Sequence, residues 1–123
     1  MTRVTIFTIL FLALSSMANA AAFRVIEQPE DAYELKLGEV SLPGASSGSV
    51  IFKACSDCRT TALRVTQATV YEVDGQPVDL TAFNKAAKAF RGRRGGALDT
   101  AVYVFFNVDS RRVTRLALDS FDL

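Results

Sequence analysis

The amino-acid sequence predicts an α+β domain: a mostly antiparallel sheet of about five or six strands with one amphipathic helix packed on one face. Three observations lead to this fold class. Short segments of alternating apolar and polar residues recur along the chain, and one stretch alone has helical periodicity. That stretch precedes the last two strand-like segments, so the helix is inserted before a C-terminal hairpin. The regular strand–helix alternation of a doubly wound parallel sheet is missing.

The first twenty residues are typical of a secretory signal peptide. Arg3 supplies a positive charge, residues 4–14 are almost wholly apolar, and Ala18 and Ala20 are the small residues that a signal peptidase recognises. An apolar run of about 11 residues is too short for a membrane-spanning helix, which needs about 20. We therefore expect a cleaved leader over residues 1–20. Residues 21–123 then form a single small globular domain, periplasmic or secreted, with no stable membrane span after cleavage.

Strands joined by turns account for the first part of this domain. The alternation over residues 22–28 and 33–37 predicts two half-buried strands with a turn at 29–31. Residues 42–49 have the composition of a loop, and a third strand starts at 50–53. The β-branched stretch at 60–73 changes phase near Thr66 and Gln67, which predicts a bulge or break. Asp74-Gly75 is a turn signal.

The helix is predicted from apolar residues at helical spacing, with lysines on the opposite side. These apolar residues are Leu80, Phe83, Ala87 and Phe90. Asp79 is the expected N-cap, with Thr81 as the alternative. Gly92 is expected to end the helix in the left-handed conformation.

Two strands follow the helix after a loop at residues 93–99. Residues 100–108 are apolar on both faces, which predicts a central strand with cover on both sides. Residues 112–118 are expected to pair back as a hairpin. We expect the helix to meet one of two faces of the central strand, either Val102/Phe106 or Tyr103/Phe105.

The composition narrows the classes of function. The chain has no histidine, which excludes Ser-His-Asp and Cys-His catalysis, histidine-ligated metals and a histidine pH switch. The 14 Lys and Arg and 13 Asp and Glu become balanced once Arg3 leaves with the leader. A neutral domain has no overall field to attract nucleic acid or an anionic membrane. We expect no nucleic-acid partner, no cofactor and no metal, and an enzyme is disfavoured.

Cys55 and Cys58, the two cysteines of the chain, have the CxxC spacing. The favoured interpretation is a local disulfide across a β-turn, formed in an oxidising compartment. The alternative is the dithiol of a thiol–disulfide oxidoreductase, which needs a thiolate at a helix N-terminus. The residues after Cys58 favour a strand instead. A zinc site is a third interpretation, but it would need two chains to share one ion.

Two further features are candidates for binding. Arg91, Arg93 and Arg94 form the densest positive patch, which either binds an anion or a partner or is a solvated loop. Tyr103 and Phe105 either pack in the core or form an exposed aromatic face, if the helix covers the opposite side only. Acidic residues at the first turn and near the C-terminus are interpreted as solvated caps.

The function expected from these observations is that of a small exported, non-catalytic protein. Its partner would be another protein or an envelope component. The alternative, a CxxC thiol–disulfide oxidoreductase, belongs to a different class and depends on where Cys55 and Cys58 lie.

Overall fold

The computed structural model describes residues 29–120, so the predicted leader and the strand predicted over 22–28 lie outside the described residues. Eight strands and two helices form in this part of the chain. The strands are β1 (Glu30–Lys36), β2 (Val40–Ser41), β3 (Ser49–Lys53), β4 (Thr60–Arg64), β5 (Val70–Val73), β6 (Gln76–Val78), β7 (Thr100–Asn107) and β8 (Val113–Ser120). The helices are α1 (Leu80–Gly92) and the short α2 (Gly96–Asp99), with a 3₁₀ turn at Leu37–Glu39.

The strands are divided between two sheets. A five-stranded sheet has the order β1-β7-β8-β5-β6, and a three-stranded sheet has the order β2-β3-β4. Every pairing between these strands is antiparallel except that of β5 with β8. The predicted α+β class and the C-terminal hairpin of β7 and β8 are confirmed. The separate three-stranded sheet and the parallel pairing of β5 were not predicted.

The connection before β5 and the turn after it agree with the local sequence signals. β4 ends at Arg64 and β5 starts at Val70, so the break predicted near Thr66 is confirmed. The buried Thr69 hydroxyl donates a 2.7 Å hydrogen bond to the Val113 carbonyl, which fixes this connection to β8. Asp74 and Gly75 both have positive φ, at 48° and 80°, as a two-residue type I′ hairpin requires.

Helix α1 begins where its N-cap was predicted but ends differently. The Asp79 carboxylate accepts a 2.7 Å hydrogen bond from the Ala82 amide, so Asp79 and not Thr81 is the cap. The helix ends at Gly92, as predicted, but the predicted left-handed conformation there is wrong: the C-cap is Arg93 at φ −76°, and the left-handed Gly95, at φ 75°, is the N-cap of α2. The chain turns there so tightly that a Cβ at Gly96 would overlap the Phe90 carbonyl. The chain after α1 therefore passes close to the last turn of the helix at Gly96.

The core lies on one face of the five-stranded sheet, which we call the inner face. Helix α1 packs on this inner face against β5 and β8, where the Phe83 ring lies 5.3 Å from that of Tyr71. Of the two faces predicted to meet the helix, it therefore lies on the Val102/Phe106 side and shares that buried cluster, although its packing partners are β5 and β8. The three-stranded sheet covers the rest of the inner face, where the Phe52 ring lies 4.9 Å from that of Tyr33. Both covering layers therefore lie on the same side.

The opposite face of the sheet, the outer face, is more open. Val102, Val104 and Phe106 on the inner face of β7 are at most 4% exposed, whereas Tyr103 and Phe105 on its outer face are half-buried. No helix or strand among residues 29–120 packs over these two rings. β7 is an interior strand, as predicted, but on its outer face the predicted cover does not extend over Tyr103 and Phe105, although Ala101 at its start is buried.

Candidate functional site

The outer face combines two aromatic rings with charged side chains. The strand register places Glu34 and Ala117 on either side of Tyr103, and Ala32 and Arg115 on either side of Phe105. Alternation of side chains along each strand assigns the other members of this face. The outer face includes Ala32, Glu34, Lys36, Val70, Glu72, Ala101, Tyr103, Phe105, Arg115, Ala117 and Asp119, and of these Ala101 is buried.

Polar contacts hold both aromatic rings in place. Burial, the charges of Glu34 and Asp119 and a hydrogen bond with Glu34 all raise the pKa of Tyr103 above its ordinary value. The Arg115 guanidinium lies 4.0 Å from the centre of the Phe105 ring, within the range of a cation–π contact. Both rings therefore have a charged neighbour on an adjoining strand of the same face.

β1 forms the longest accessible edge of the described sheets. Within residues 29–120 it pairs with β7 alone. The other end of this sheet is β6, with three residues including Pro77, which lacks a backbone donor. In the three-stranded sheet, β2 has two residues and β4 continues into a bridge between Arg64 and Arg112. β1 thus offers seven residues of edge without a proline.

The direction of the backbone groups in β1 follows from two hydrogen bonds. The Pro29 carbonyl accepts a 2.8 Å hydrogen bond from the Val108 amide, so it points towards β7. The Ala32 amide donates to the carboxylate of its neighbour Asp31 at 2.8 Å. Because the backbone groups of successive residues point to alternate sides of a strand, the even-numbered residues face away from β7. The edge of β1 that is unpaired within residues 29–120, called the free edge below, therefore presents the N–H and C=O groups of Glu30, Ala32, Glu34 and Lys36.

Two adjoining cavities lie along the second half of this edge. One has a volume of about 460 Å³ and the other about 280 Å³, and Glu34, Leu35 and Glu39 line both. The first is closed on its far side by residues 53–56 at the tip of the β3–β4 hairpin. The second is bordered by Leu98 of α2, which is 66% exposed. We call this depression the edge groove. The edge groove was not predicted, because the order of strands across a sheet has no local signal in the amino-acid sequence.

The two cysteines lie at the hairpin tip that forms one wall of the edge groove. Their sulfurs are at disulfide-bonding distance, with the Cα atoms 5.0 Å apart. The Cys58 amide donates to the Cys55 carbonyl at 3.2 Å, so the pair spans a β-turn as predicted. β4 follows two residues after Cys58, and no helix N-terminus is present there to lower a thiol pKa. The structural requirement of the oxidoreductase alternative is therefore not met by this hairpin.

The three arginines of the predicted anion-binding loop have different surroundings. The Arg91 guanidinium donates to the backbone carbonyls of Val40, at 2.9 Å, and Leu37, at 3.4 Å. Arg93 lies over the Phe90 ring, 4.9 Å from its centre, and Arg94 is exposed. Arg91 ties helix α1 to the segment before β2. An anion site at these residues stays a prediction.

Other chemistry is not evident in the part of the chain that the structure describes. Within residues 29–120, no three His, Cys, Asp or Glu side chains are grouped so that they could hold a metal ion. None of the helices in that range is both long and apolar enough to cross a membrane. Of the acidic residues predicted to be caps, Glu30 accepts a hydrogen bond from the Thr114 hydroxyl at 2.9 Å. In comparisons with known proteins, no family, no curated protein and no solved structure matches this chain.

Proposed function

We propose that this chain is a small exported, non-catalytic binding protein that holds a protein partner against the outer face of its five-stranded sheet. The observation that carries the proposal is the position of the two covering layers. Helix α1 and the three-stranded sheet both pack on the inner face, and Tyr103 and Phe105 stay partly exposed on the other. Leaving two large rings in contact with water forgoes burial free energy that a partner would recover.

The composition of the outer face supports a protein as the partner. Aromatic residues and arginine are enriched at the centre of protein interfaces, while charged residues lie around the rim. Tyr103, Phe105 and Arg115 lie together on neighbouring strands, and Glu34 and Asp119 flank them. The exposed Val70, opposite Arg115 on β5, extends the apolar area. A small molecule would need a deeper pocket than this flat surface offers.

Export is the second element of the proposal. The basic, apolar and small-residue regions of residues 1–20 support secretion, and the pairing of Cys55 with Cys58 suits an oxidising compartment. The partner would then be a protein of the periplasm, the envelope or the surroundings of the cell.

Site-specific photo-cross-linking in the cells that export the protein tests this function. A photoreactive phenylalanine analogue replaces Phe105 in one variant and Ile51 in a control variant. Ile51 is 43% exposed but lies on the three-stranded sheet. The proposal expects one abundant protein adduct from position 105 that is absent from position 51. Equal adducts from both positions, or none from position 105, would refute it.

A further inference from the structure

We propose that the partner contributes an extended, basic segment that pairs with the free edge of β1 and becomes an additional strand of the five-stranded sheet. This inference rests on the proposed binding function but concerns the edge and its groove rather than the outer face. A strand added to a sheet edge gains affinity from backbone hydrogen bonds and specificity from its alternate side chains.

The backbone of β1 is ready for such pairing. The outward-facing groups of Ala32, Glu34 and Lys36 follow from the Pro29 and Ala32 hydrogen bonds described above. All three residues are exposed. In the unbound protein the Asp31 carboxylate accepts a hydrogen bond from the Ala32 amide. Charged side chains at a sheet edge protect it from uncontrolled pairing. An incoming strand replaces that contact with a backbone carbonyl.

The edge groove gives the added strand room. A neighbouring strand lies about 4.8 Å from β1 in the plane of the sheet, and the larger cavity lies beside Glu34 and Leu35 with the disulfide-linked hairpin tip in its wall. The smaller cavity lies at the end of β1, where Thr100 and Ala101 of β7 also line it. The exposed Leu98 side chain in that cavity offers an apolar contact to a residue at the end of the segment.

The charge of the edge selects a basic segment. β1 carries three acidic residues, Glu30, Asp31 and Glu34, against the single Lys36. Glu39 adds a carboxylate to the groove and Lys53 adds an ammonium group. The local excess of negative charge attracts lysine or arginine within about 8 Å, the screening distance at physiological ionic strength. A second copy of β1 carries the same net negative charge, so a basic segment is the better matched occupant of this edge.

The first test uses two end-blocked peptide probes with the mature protein at physiological ionic strength. One probe alternates lysine and valine over seven residues, and the other alternates glutamate and valine. We expect calorimetric binding of the lysine probe alone. In a variant of the lysine probe, alternate backbone nitrogens are methylated so that the side facing β1 has no N–H groups. This change should abolish binding without altering the charge of the probe. Equal binding of the glutamate probe, or binding that survives methylation in either register, would overturn the proposal.

Amide hydrogen exchange shows where the probe binds. Saturation with the lysine probe should slow exchange at Glu34 and Lys36, whose amides face the free edge. Exchange at Tyr33 and Leu35 should change little, because their amides already face β7. Protection of the odd-numbered residues instead, or of no residue in β1, would contradict strand addition there.

A matched pair of variants tests the edge in the protein itself. Ala32→Pro removes an outward amide, whereas Ala32→Val keeps it. We expect Ala32→Pro to weaken the lysine probe about tenfold, the effect of losing one or two hydrogen bonds, and Ala32→Val to change it less than about threefold. If Ala32→Pro fails to fold, the methylated probe decides the question. A dimer of the unliganded protein in sedimentation that Ala32→Pro abolishes and Ala32→Val keeps would assign the edge to a second copy and overturn the proposal.

The same variants separate this inference from the proposed function. If the cross-linked partner needs Phe105 but binds Ala32→Pro as tightly as it binds the parent protein, the binding function stands and strand addition is wrong. If no adduct forms at position 105 while the lysine probe binds β1, the proposed binding function of the outer face is wrong and strand addition at β1 stands.

Discussion

Removing one oxygen atom from the core should stabilise this protein. Tyr71 lies on β5, is 7% exposed, and packs against Phe83 with the ring centres 5.3 Å apart. Its buried hydroxyl has no hydrogen-bond partner within the described residues. A buried polar group without a partner costs about 1–3 kcal/mol, and the phenyl ring of phenylalanine keeps the packing. Tyr71→Phe should therefore raise the free energy of unfolding by about 1–3 kcal/mol.

Urea denaturation followed by circular dichroism measures this change, with Tyr103→Phe as the control. Tyr103 is half-buried on the outer face and its hydroxyl is not among the buried groups without a partner, so its removal should leave stability the same or slightly lower. An unfolding free energy for Tyr71→Phe at or below that of the parent protein would show that the hydroxyl is satisfied in solution. The packing assigned to Tyr71 would then be wrong.

The pH dependence of stability offers a second readout of the same residue. Burial raises the pKa of Tyr71 above 10.0, its ordinary value. Above that pH the unfolded chain loses this proton while the folded chain keeps it, so stability falls as pH rises. Tyr71→Phe removes this contribution, and its stability should fall less steeply above pH 10 than that of the parent protein. Equal slopes would contradict the assigned burial.

Three further predictions concern the helix, its tie to the sheet and the hairpin. Phe83→Ala should lower the unfolding free energy by about 3–5 kcal/mol, measured in the same urea titration; a loss below about 1 kcal/mol would show that the ring is not in the core. Arg91→Ala should lower it by about 1–2 kcal/mol through the lost bonds to two carbonyls, whereas Arg94→Ala should change it by less than about 0.5 kcal/mol. The Cys55–Cys58 pair should titrate against glutathione buffers with a reduction potential below about −300 mV, and a potential near those of exchange enzymes would favour the oxidoreductase alternative.

Local sequence signals were sufficient for most single elements of the fold. The phase change after Val65 predicted the break between β4 and β5, because side-chain direction alternates strictly along a strand. Asp79 was identified as the N-cap because its carboxylate can reach an amide three residues on, within one helical turn. Such signals arise within a few residues, so a single sequence contains them.

Features that depend on distant contacts were not predictable in the same way. The division into two sheets and the parallel pairing of β5 with β8 are set by contacts between residues more than forty positions apart. Gly92 ends α1 but is not left-handed; the left-handed residue is Gly95, next to Gly96, where a Cβ would overlap the Phe90 carbonyl. A local rule cannot include the space available after the chain turns.

The candidate site shows the same division. The alternation in β7 predicted that Tyr103 and Phe105 share a face, and left open whether the helix covers it. The edge groove could not be foreseen, because Glu34 and Leu98 come together only once β1 pairs with β7. Cys55 and Cys58 were predicted as a local pair, yet their position in the wall of that groove depends on the hairpin packing against β1.

Cross-linking identifies the partner. The affinity of that partner, purified on its own, for outer-face variants tests the central claim most directly. Tyr103→Ala and Phe105→Ala should each weaken binding about tenfold or more, measured on variants that circular dichroism shows to be folded, while Ile51→Ala binds like the parent. Unchanged affinity in both aromatic variants, or an equal loss in Ile51→Ala, would contradict a binding function of the outer face.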